Sequence, residues 1–362
     1  MTSAAQATQA RTSEWPLIAI LPAAWLLRWG VALLWPNIQW PDEIYQVLEP
    51  AHRIVFGYGL LSWEWHAGIR SLVLPGAFAG VLEIAKWLGL GPGYYLPLIE
   101  ALLCALSLTV VWVAYRLGRD PGFGVGTRWG AMAAAAPAAL WFELVLFAPH
   151  ALADAIAAHV MVPGLYLLQS GGMIASGEAP HRKRDAASGA LLALAAVLRP
   201  NLALPLFLGA VTVLRGQRAR WGFLAAGALP MLIAYGAVDL LQGQWPFEST
   251  IRFLDANLLE GNSTAFGVAP WYAYAALFVA HWGIALPFLI LLLYFGLRGN
   301  SLWLIVAAAL VIEQSILPHK EYRFVYPAIV CLMPVIGVGP RGWPPGAFAP
   351  GRGTIPEQSR SA

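Results

Sequence analysis

The sequence predicts a polytopic α-helical membrane protein, and two observations about its composition support this fold class. Of the 362 residues, 59% are apolar and only 11% are charged, whereas about a quarter of the residues in an ordinary soluble domain are charged. This composition excludes a soluble two-domain enzyme, the default for this length. The 22 Lys and Arg nearly balance the 19 Asp and Glu, so the chain lacks the charge for a basic nucleic-acid-binding face.

Apolar runs near the length needed to cross a bilayer, about 20 residues, predict the spans. They are Leu17–Trp35, Tyr95–Leu117, Trp129–Phe147, Ala151–Leu168, Trp221–Leu241, Trp271–Leu297, Leu302–Leu317 and Phe324–Val338. Another stretch, Ala187–Leu214, is interrupted by Arg199-Pro200-Asn201 and predicts a broken pair of helices. Ser71–Leu90 contains Glu83 and Lys86, which fit either a span or an interfacial helix. About ten transmembrane helices result if Ser71–Leu90 does not cross and Ala187–Leu214 crosses twice.

The distribution of charge predicts which loops share a side of the membrane. Short loops rich in Arg and Lys belong on the cytoplasmic side; they are 116–128, 181–185, 215–220 and Arg298. Two long loops with an acidic excess, 36–71 and 242–270, are expected on the outer face, together with the short loop 318–323. We therefore predict one transmembrane domain over residues 1–340, a first outer loop that contains short helices, and a disordered cytoplasmic tail over 341–362.

The first long loop begins with a motif suited to a catalytic carboxylate. Pro41 followed by Asp42 and Glu43 is typical of a helix start, where Pro fits the first position and acids face the positive end of the helix dipole. On a regular helix Asp42, Gln46 and Glu49 would share one face. A partly desolvated carboxylate there suits a general base or a metal ligand. The alternative is a simple N-terminal cap.

Further along the same loop, Glu64 lies between Trp63 and Trp65, and Arg70 follows. Aromatic faces serve equally well as platforms for sugars and as anchors at the membrane interface. The pattern alone leaves both interpretations open.

A third polar segment, residues 318–324, contains His319, Lys320 and Arg323 beside the last span. In helical spacing His319 and Arg323 would point together, and Arg and Lys are suited to binding phosphate. The alternative is a membrane-surface anchor. Arg199, within an apolar stretch, is expected to be functional and could reach a lipid phosphate across the helix break.

Taken in order, these residues resemble the membrane mannosyltransferases that elongate the GPI anchor and the lipid-linked N-glycan precursor. The series comprises Trp40–His52, Trp63–Trp65, Arg70-Ser71, Arg199–Asn201, Asn257, Phe266–Tyr272 and His319–Phe324, and covers most of residues 15–340. The chain has Trp40 where that family usually has His. Its richness in Ala, Gly, Arg and Trp suggests a GC-rich bacterial genome.

The resemblance implies a GT-C type glycosyltransferase fold in the cell membrane, with its active site on the periplasmic side. The implied reaction moves a mannosyl or other hexosyl residue from a polyprenyl-phosphate sugar to an acceptor hydroxyl by a single inverting displacement. The implied partners are the lipid-linked donor and a glycolipid or glycan acceptor, with no nucleic acid, no cofactor and no metal.

The resemblance also implies roles for individual residues. Asp42 would be the base that takes the acceptor's proton, assisted or oriented by Glu43. The donor phosphate would bind His319, Lys320, Arg323 and Arg199. The sugar and acceptor would contact Trp63, Glu64, Trp65 and Trp271, with Gln46, Glu49, His52, Arg70 and Asn257 as further candidates.

Two other functions compete with this interpretation. A transporter or lipid flippase could use Arg199, Glu143, Asp154 and Glu313 as a proton relay, but the charges concentrate in the outer loops and the sequence shows no internal repeat. A scaffold with a decayed site is the other alternative, and the presence of Asp42, Glu64 and Lys320 argues against it.

Overall fold

A computed structural model describes residues 14–120, 126–171, 180–297 and 301–338 of the chain. Within those ranges all regular structure is helical, which confirms the predicted all-α fold. The sixteen α-helices are α1 (Trp15–Leu34), α2 (Glu49–Phe56), α3 (Trp63–His66), α4 (Val73–Trp87), α5 (Pro92–Arg119), α6 (Arg128–Leu140), α7 (Phe142–Phe147), α8 (Ala153–Gly171), α9 (Pro180–Leu198), α10 (Ala203–Leu214), α11 (Arg218–Leu241), α12 (Glu248–Leu254), α13 (Ala273–Trp282), α14 (Ala285–Gly296), α15 (Ser301–Ile316) and α16 (Tyr326–Ile336). The predicted disordered tail, 341–362, lies outside the described residues.

Among the described residues, three helices are long and apolar enough to cross a membrane on their own: α1, α5 and α11. The pair α13 and α14 is a fourth candidate if it counts as one bent span, and shorter apolar helices include α15 and residues 322–336. These helices establish several candidate spans. The total of about ten stays a prediction.

Two predicted spans are interrupted. The stretch Trp271–Leu297 bends by 107° between α13 and α14, where Gly283 has a φ of +48° that glycine tolerates far better than residues with a side chain. The stretch Trp129–Phe147 breaks at Trp141, whose backbone is extended. Apolar character continues across both breaks, so the hydropathy of the sequence could not show them.

The predicted break in Ala187–Leu214 is confirmed. α9 ends at Leu198, Arg199 is extended with a φ of −141° and a ψ of 96°, and a 3₁₀ turn over Pro200–Leu202 leads into α10. The residue before a proline is disfavoured in the helical region, and this places Arg199 at the interruption.

Helices α9 and α11 cross with their backbones almost in contact. A Cβ atom added to Gly189 would lie 1.9 Å from the carbonyl oxygen of Leu224, and one added to Gly227 would lie 1.8 Å from that of Ala186. Small residues at such crossings let membrane helices approach closely. The crossing supports the region around Arg199, since α9 ends there.

The segment that carries Asp42 and Glu43 is fixed by an apolar cluster of its own. Val47 and Ala51 are buried against Phe78 and Leu82 of α4 and Tyr95 of α5. With 15 residues, α4 is shorter than the roughly 20 residues of a span. It therefore serves as a platform under the first loop.

The loops predicted to lie on the outer face meet at one end of the helical bundle. Gln244 of the loop 242–270 donates to the carbonyl of Gly68 at 2.8 Å, and the backbone of Ala269 donates to Pro318 at 3.0 Å. We refer to loops 36–71, 242–270 and 318–323 together as the loop cap. Their contact agrees with the prediction that all three share one side.

Candidate active site

The helical segment after Pro41 is irregular at the residues of interest. Residues Glu43–Leu48 form a π-helix, and α2 begins at Glu49. Because a π-helix closes i→i+5 hydrogen bonds, its side chains are not arranged as on a regular helix. Gln46 lines one cavity and Glu49 another. The predicted common face of Asp42, Gln46 and Glu49 is therefore wrong.

Asp42 is paired with Arg323, which joins the first and last parts of the loop cap. Its Oδ2 lies 2.5 Å from Nη1 of Arg323, whose side chain is 8% exposed. The Arg323 Nε also donates to Glu321 at 2.7 Å. Burial works against the Arg323 charge, but the carboxylates of Asp154, Asp42 and Glu321 outweigh it and raise the pKa of Arg323. Arg323 is thus a permanent cation that holds Asp42.

His319 and Lys320 hold the loop cap together. Residues 318–321 are not helical, so the predicted helical alignment of His319 with Arg323 is wrong. Glu321 joins the two instead, with Oε1 3.0 Å from Nε2 of His319. Lys320 donates to the carbonyl of Ala269 at 3.2 Å and to that of Leu317, and burial lowers its pKa. In the sequence Glu321 is a single acid among basic residues, and no pattern there predicts that it links them.

Arg70 and Arg199 line a cleft of about 570 Å³ between the first loop, the α9–α10 break and α12. Arg199 Nη2 is 2.5 Å from Asp154, and Arg70 Nη2 is 2.6 Å from Glu64. Within the described part of the chain, the buried Nε atoms of both arginines have no hydrogen-bond partner. We call this space the arginine cleft; its spare donors suit an anion.

Hydroxyl groups also line the arginine cleft. The Tyr235 hydroxyl lies 3.0 Å from that of Ser249 and 2.7 Å from that of Thr250, and Ser249 donates to Asp239 at 2.9 Å. Tyr235 sits within an apolar helix, so the sequence carried no signal that would have distinguished it. Such hydroxyls can hydrogen-bond both an anion and a sugar.

The predicted sugar platform is dispersed in the structure. Trp63 and Trp271 are 49% and 75% exposed, and Trp65 donates its indole N–H to the carbonyl of Tyr45 at 3.0 Å. Asn257 donates to the carbonyl of Phe253. These four residues do not line the arginine cleft, so their predicted contacts with sugar stay predictions.

Glu43 faces away from Asp42. Its Oε2 is 2.8 Å from Nδ1 of His150, and its Oε1 accepts the backbone N–H of Gln39. Glu43 and His150 line a second cavity of about 940 Å³, together with Glu49 and His52. The structure thus separates Glu43, Glu49 and His52 from Asp42 and from the arginine cleft.

Three of the four charges proposed for a proton relay have local partners, whereas Oε2 of the fourth, Glu313, is buried without a hydrogen-bond partner among the described residues. Arg199 and Asp154 are paired with each other. The buried Glu143 accepts hydrogen bonds from the indoles of Trp141 at 2.5 Å and Trp282 at 2.9 Å and from the hydroxyl of Tyr322. These contacts join helices and loops to one another, so a structural role accounts for them.

Comparisons with known proteins show which proteins the chain is similar to. GPI mannosyltransferase 3 of Yarrowia lipolytica is 30% identical over 301 residues, covering 81% of this chain and 56% of that protein. The human GPI alpha-1,2-mannosyltransferase 3 is 27% identical, covering 82% of this chain and 53% of that protein. The chain therefore spans about half the length of these curated relatives.

A solved structure supports the fold. The crystal structure of ArnT from Cupriavidus metallidurans bound to undecaprenyl phosphate has a TM-score of 0.60 at 18% identity, covering 90% of this chain and 60% of that one. The predicted GT-C type fold is confirmed by this likeness. The profile of the Alg9-like mannosyltransferase family matches residues 20–344. The chain belongs to the Alg9-like mannosyltransferase family.

Proposed function

We propose that the chain transfers a mannosyl residue from a polyprenyl-phosphate sugar to an acceptor hydroxyl, with Asp42 as the general base. The observation that carries the proposal is the pairing of Asp42 with Arg323 in the loop cap that also supplies Arg70 to the arginine cleft. A carboxylate and a set of cations are the two components that such a transfer needs. The named relatives are mannosyltransferases, which supports the choice of sugar.

The reaction is a single displacement at the anomeric carbon. The acceptor oxygen forms a bond to this carbon, the bond to the phosphate oxygen breaks with its electron pair leaving on the phosphate, and the hydroxyl proton passes to Asp42. One carboxylate suffices because no covalent sugar–enzyme intermediate forms. The displacement inverts the anomeric configuration and needs neither a nucleotide nor a cofactor nor a metal ion.

The arginine cleft is the proposed site of the donor phosphate. Arg70 and Arg199 offer buried Nε donors, and the hydroxyls of Tyr235 and Thr250 lie on the same cleft. Fixed positive charge stabilises the phosphate as it departs. ArnT was crystallised with undecaprenyl phosphate, which supports a lipid-phosphate donor. The acceptor is a glycolipid or glycan, and the loop cap faces the periplasmic side of the cell membrane.

The test is transfer of labelled mannose from polyprenyl-phosphate mannose in membranes that contain the chain. We expect Asp42→Asn to reduce transfer by about 100-fold or more, in the range of general-base catalysis, with unchanged protein abundance. Asp255→Asn, at an exposed acid of the loop 242–270, is the matched control and should retain activity. Full activity of Asp42→Asn would exclude Asp42 as the base. Substrate uptake into sealed vesicles without a new glycosidic bond would favour a transporter.

A further inference from the structure

Two cavities of opposite charge flank the segment 41–56. The arginine cleft contains Arg70 and Arg199. The second cavity is lined by three carboxylates and two imidazoles, and the described residues that line it include no Lys or Arg; the ionisable ones are Glu43, Glu49, His52, Glu100 and His150. We call it the acidic cavity. A phosphate group would be repelled there, so the two cavities suit different ligands.

His150 presents a buried nitrogen in the acidic cavity. The residue is 5% exposed, and its Nδ1 lies 2.8 Å from the Glu43 carboxylate. In the neutral imidazole, the tautomer with the proton on Nδ1 donates to this carboxylate and leaves Nε2 as an acceptor. Within the described chain, Nε2 is buried and has no hydrogen-bond partner. A buried polar atom normally has a partner, so Nε2 calls for a donor from a ligand.

The remaining lining residues indicate what kind of molecule supplies this donor. Leu82, Tyr95, Leu96 and Ile99 form an apolar wall beside Glu100. A ligand that fits must combine apolar surface with hydrogen-bond donors and must carry no negative charge. An uncharged polyhydroxylated headgroup on an apolar chain meets these requirements.

We propose that the acidic cavity binds the polyhydroxylated end of the acceptor lipid, and that His150 Nε2 accepts a hydrogen bond from one of its hydroxyls. Glu43 acts through His150 as a positioning residue. The identification of the ligand as the acceptor rests on the proposed function; the recognition of a hydroxylated amphiphile does not. Consecutive residues would then serve the two substrates, since Asp42 turns to Arg323 and Glu43 to His150.

The experiment uses two variants that each keep one nitrogen position of the imidazole. In His150→Asn the amide can still donate to Glu43, while the acceptor at the Nε2 position is lost. In His150→Gln the amide reaches the Nε2 position. The probe is octyl α-mannoside at submicellar concentration, and its binding to the purified full chain in nanodiscs is measured by calorimetry. His159→Asn, at a buried histidine bonded to Tyr326 and outside the acidic cavity, is the control.

We expect His150→Asn to weaken binding of the probe about tenfold, the effect of one lost hydrogen bond, and His150→Gln to stay within about threefold of the unaltered chain. A purely structural role, in which only the bond to Glu43 matters, predicts the reverse order and would overturn the inference. Equal binding by all variants would also overturn it. A second probe, the octyl glycoside of glucosamine, tests for an ammonium site: binding that depends on Glu100 and not on His150 would overturn the assignment to His150.

The transfer assay tests the proposed function and the binding experiment tests the inference about His150, and either can fail without the other. If the unaltered chain transfers no mannose but binds the probe through His150, the proposed function is wrong and the hydroxyl site stands. If Asp42→Asn abolishes transfer and His150→Asn leaves both probe binding and the KM for acceptor unchanged, the inference about His150 is wrong and the proposed function stands.

Discussion

At the scale of single residues, the site is organised by arginine–carboxylate pairs. Arg323 contacts Asp42 and Glu321, Arg199 contacts Asp154, and Arg70 contacts Glu64. A guanidinium can serve a carboxylate and still offer further donors in a fixed plane. Each pair therefore places a cation near the proposed donor site while its charge remains partly compensated in the protein.

The geometry of Arg323 predicts that lysine cannot replace it. Arg323→Lys keeps the charge but loses the fork that reaches both Asp42 and Glu321, so we expect transfer to fall by about 10- to 100-fold. Arg53→Lys, at a residue of α2 whose guanidinium donates to the carbonyl of Gly59, should be close to neutral. Equal activity of both variants would show that charge alone matters at Arg323. The measurement is initial rate at saturating donor.

The pair of Arg199 with Asp154 allows stability and function to be separated. Arg199→Gln leaves the buried carboxylate of Asp154 without its cation, which lowers the free energy of unfolding by about 3–5 kcal/mol. The apparent Tm of this variant in detergent should therefore fall. The double variant Arg199→Gln/Asp154→Asn should recover most of that Tm and still bind the donor poorly. Recovery of donor KM together with Tm would mean that Arg199 is structural.

The sequence identified Asp42, Arg323 and Arg199 because charged residues beside apolar stretches are conspicuous. It did not show that Asp42 and Arg323 pair with each other or that Arg199 pairs with Asp154. Asp154 was a candidate only for a proton relay, and the sequence did not distinguish His150, which contacts Glu43. The partners are distant in the chain, so only the fold brings them together.

At the scale of elements, irregular helices build the site. The π-helix over Glu43–Leu48 turns Gln46 and Glu49 to different cavities, and the break at Arg199 gives its side chain access to the arginine cleft. The break was predictable because proline restricts the preceding residue. The π-helix and the bend at Gly283 were not, since neither changes the apolar pattern from which spans are predicted.

The crossing of α9 and α11 predicts that small residues are required at its contact points. Gly189→Val and Gly227→Val would place side chains on backbone atoms of the facing helix, and such overpacking costs about 1–3 kcal/mol or more. We expect a lower apparent Tm and reduced yield of folded protein. Gly222→Val, in α11 at a position with open space around it, is the control. A fall in Tm of equal size in Gly222→Val would contradict the inference that α9 and α11 are in close contact at Gly189 and Gly227.

At the scale of the whole molecule, the three loops predicted to lie on the outer face form one loop cap, as the contacts of Gln244 with Gly68 and of Asp42 with Arg323 show. The sequence predicted this side for the two long loops from their acidic excess, and for the loop 318–323 from the alternation of the spans across the membrane. It could not predict the order in which helices pack, since their apolar faces resemble one another.

Sidedness can be measured with introduced cysteines. The native Cys104 and Cys331 are buried, so background labelling should be low. We expect Leu60→Cys, at an exposed position of the loop cap, to react with a membrane-impermeant maleimide in spheroplasts of a bacterial expression host. Ala219→Cys, exposed at the start of α11, should react only after the membrane is permeabilised. Labelling of both in intact spheroplasts would place the two positions on the same side.

The ion pair of Asp42 with Arg323 has a consequence for biosynthesis. Chains are made from the N-terminus, so the segment with the proposed base is inserted long before the guanidinium that holds it has been translated. Until then Asp42 lacks its cation, although Arg199 of the arginine cleft has already been translated. If Asp42 acts as proposed, a nascent chain cannot transfer a sugar until the loop 318–323 has been made.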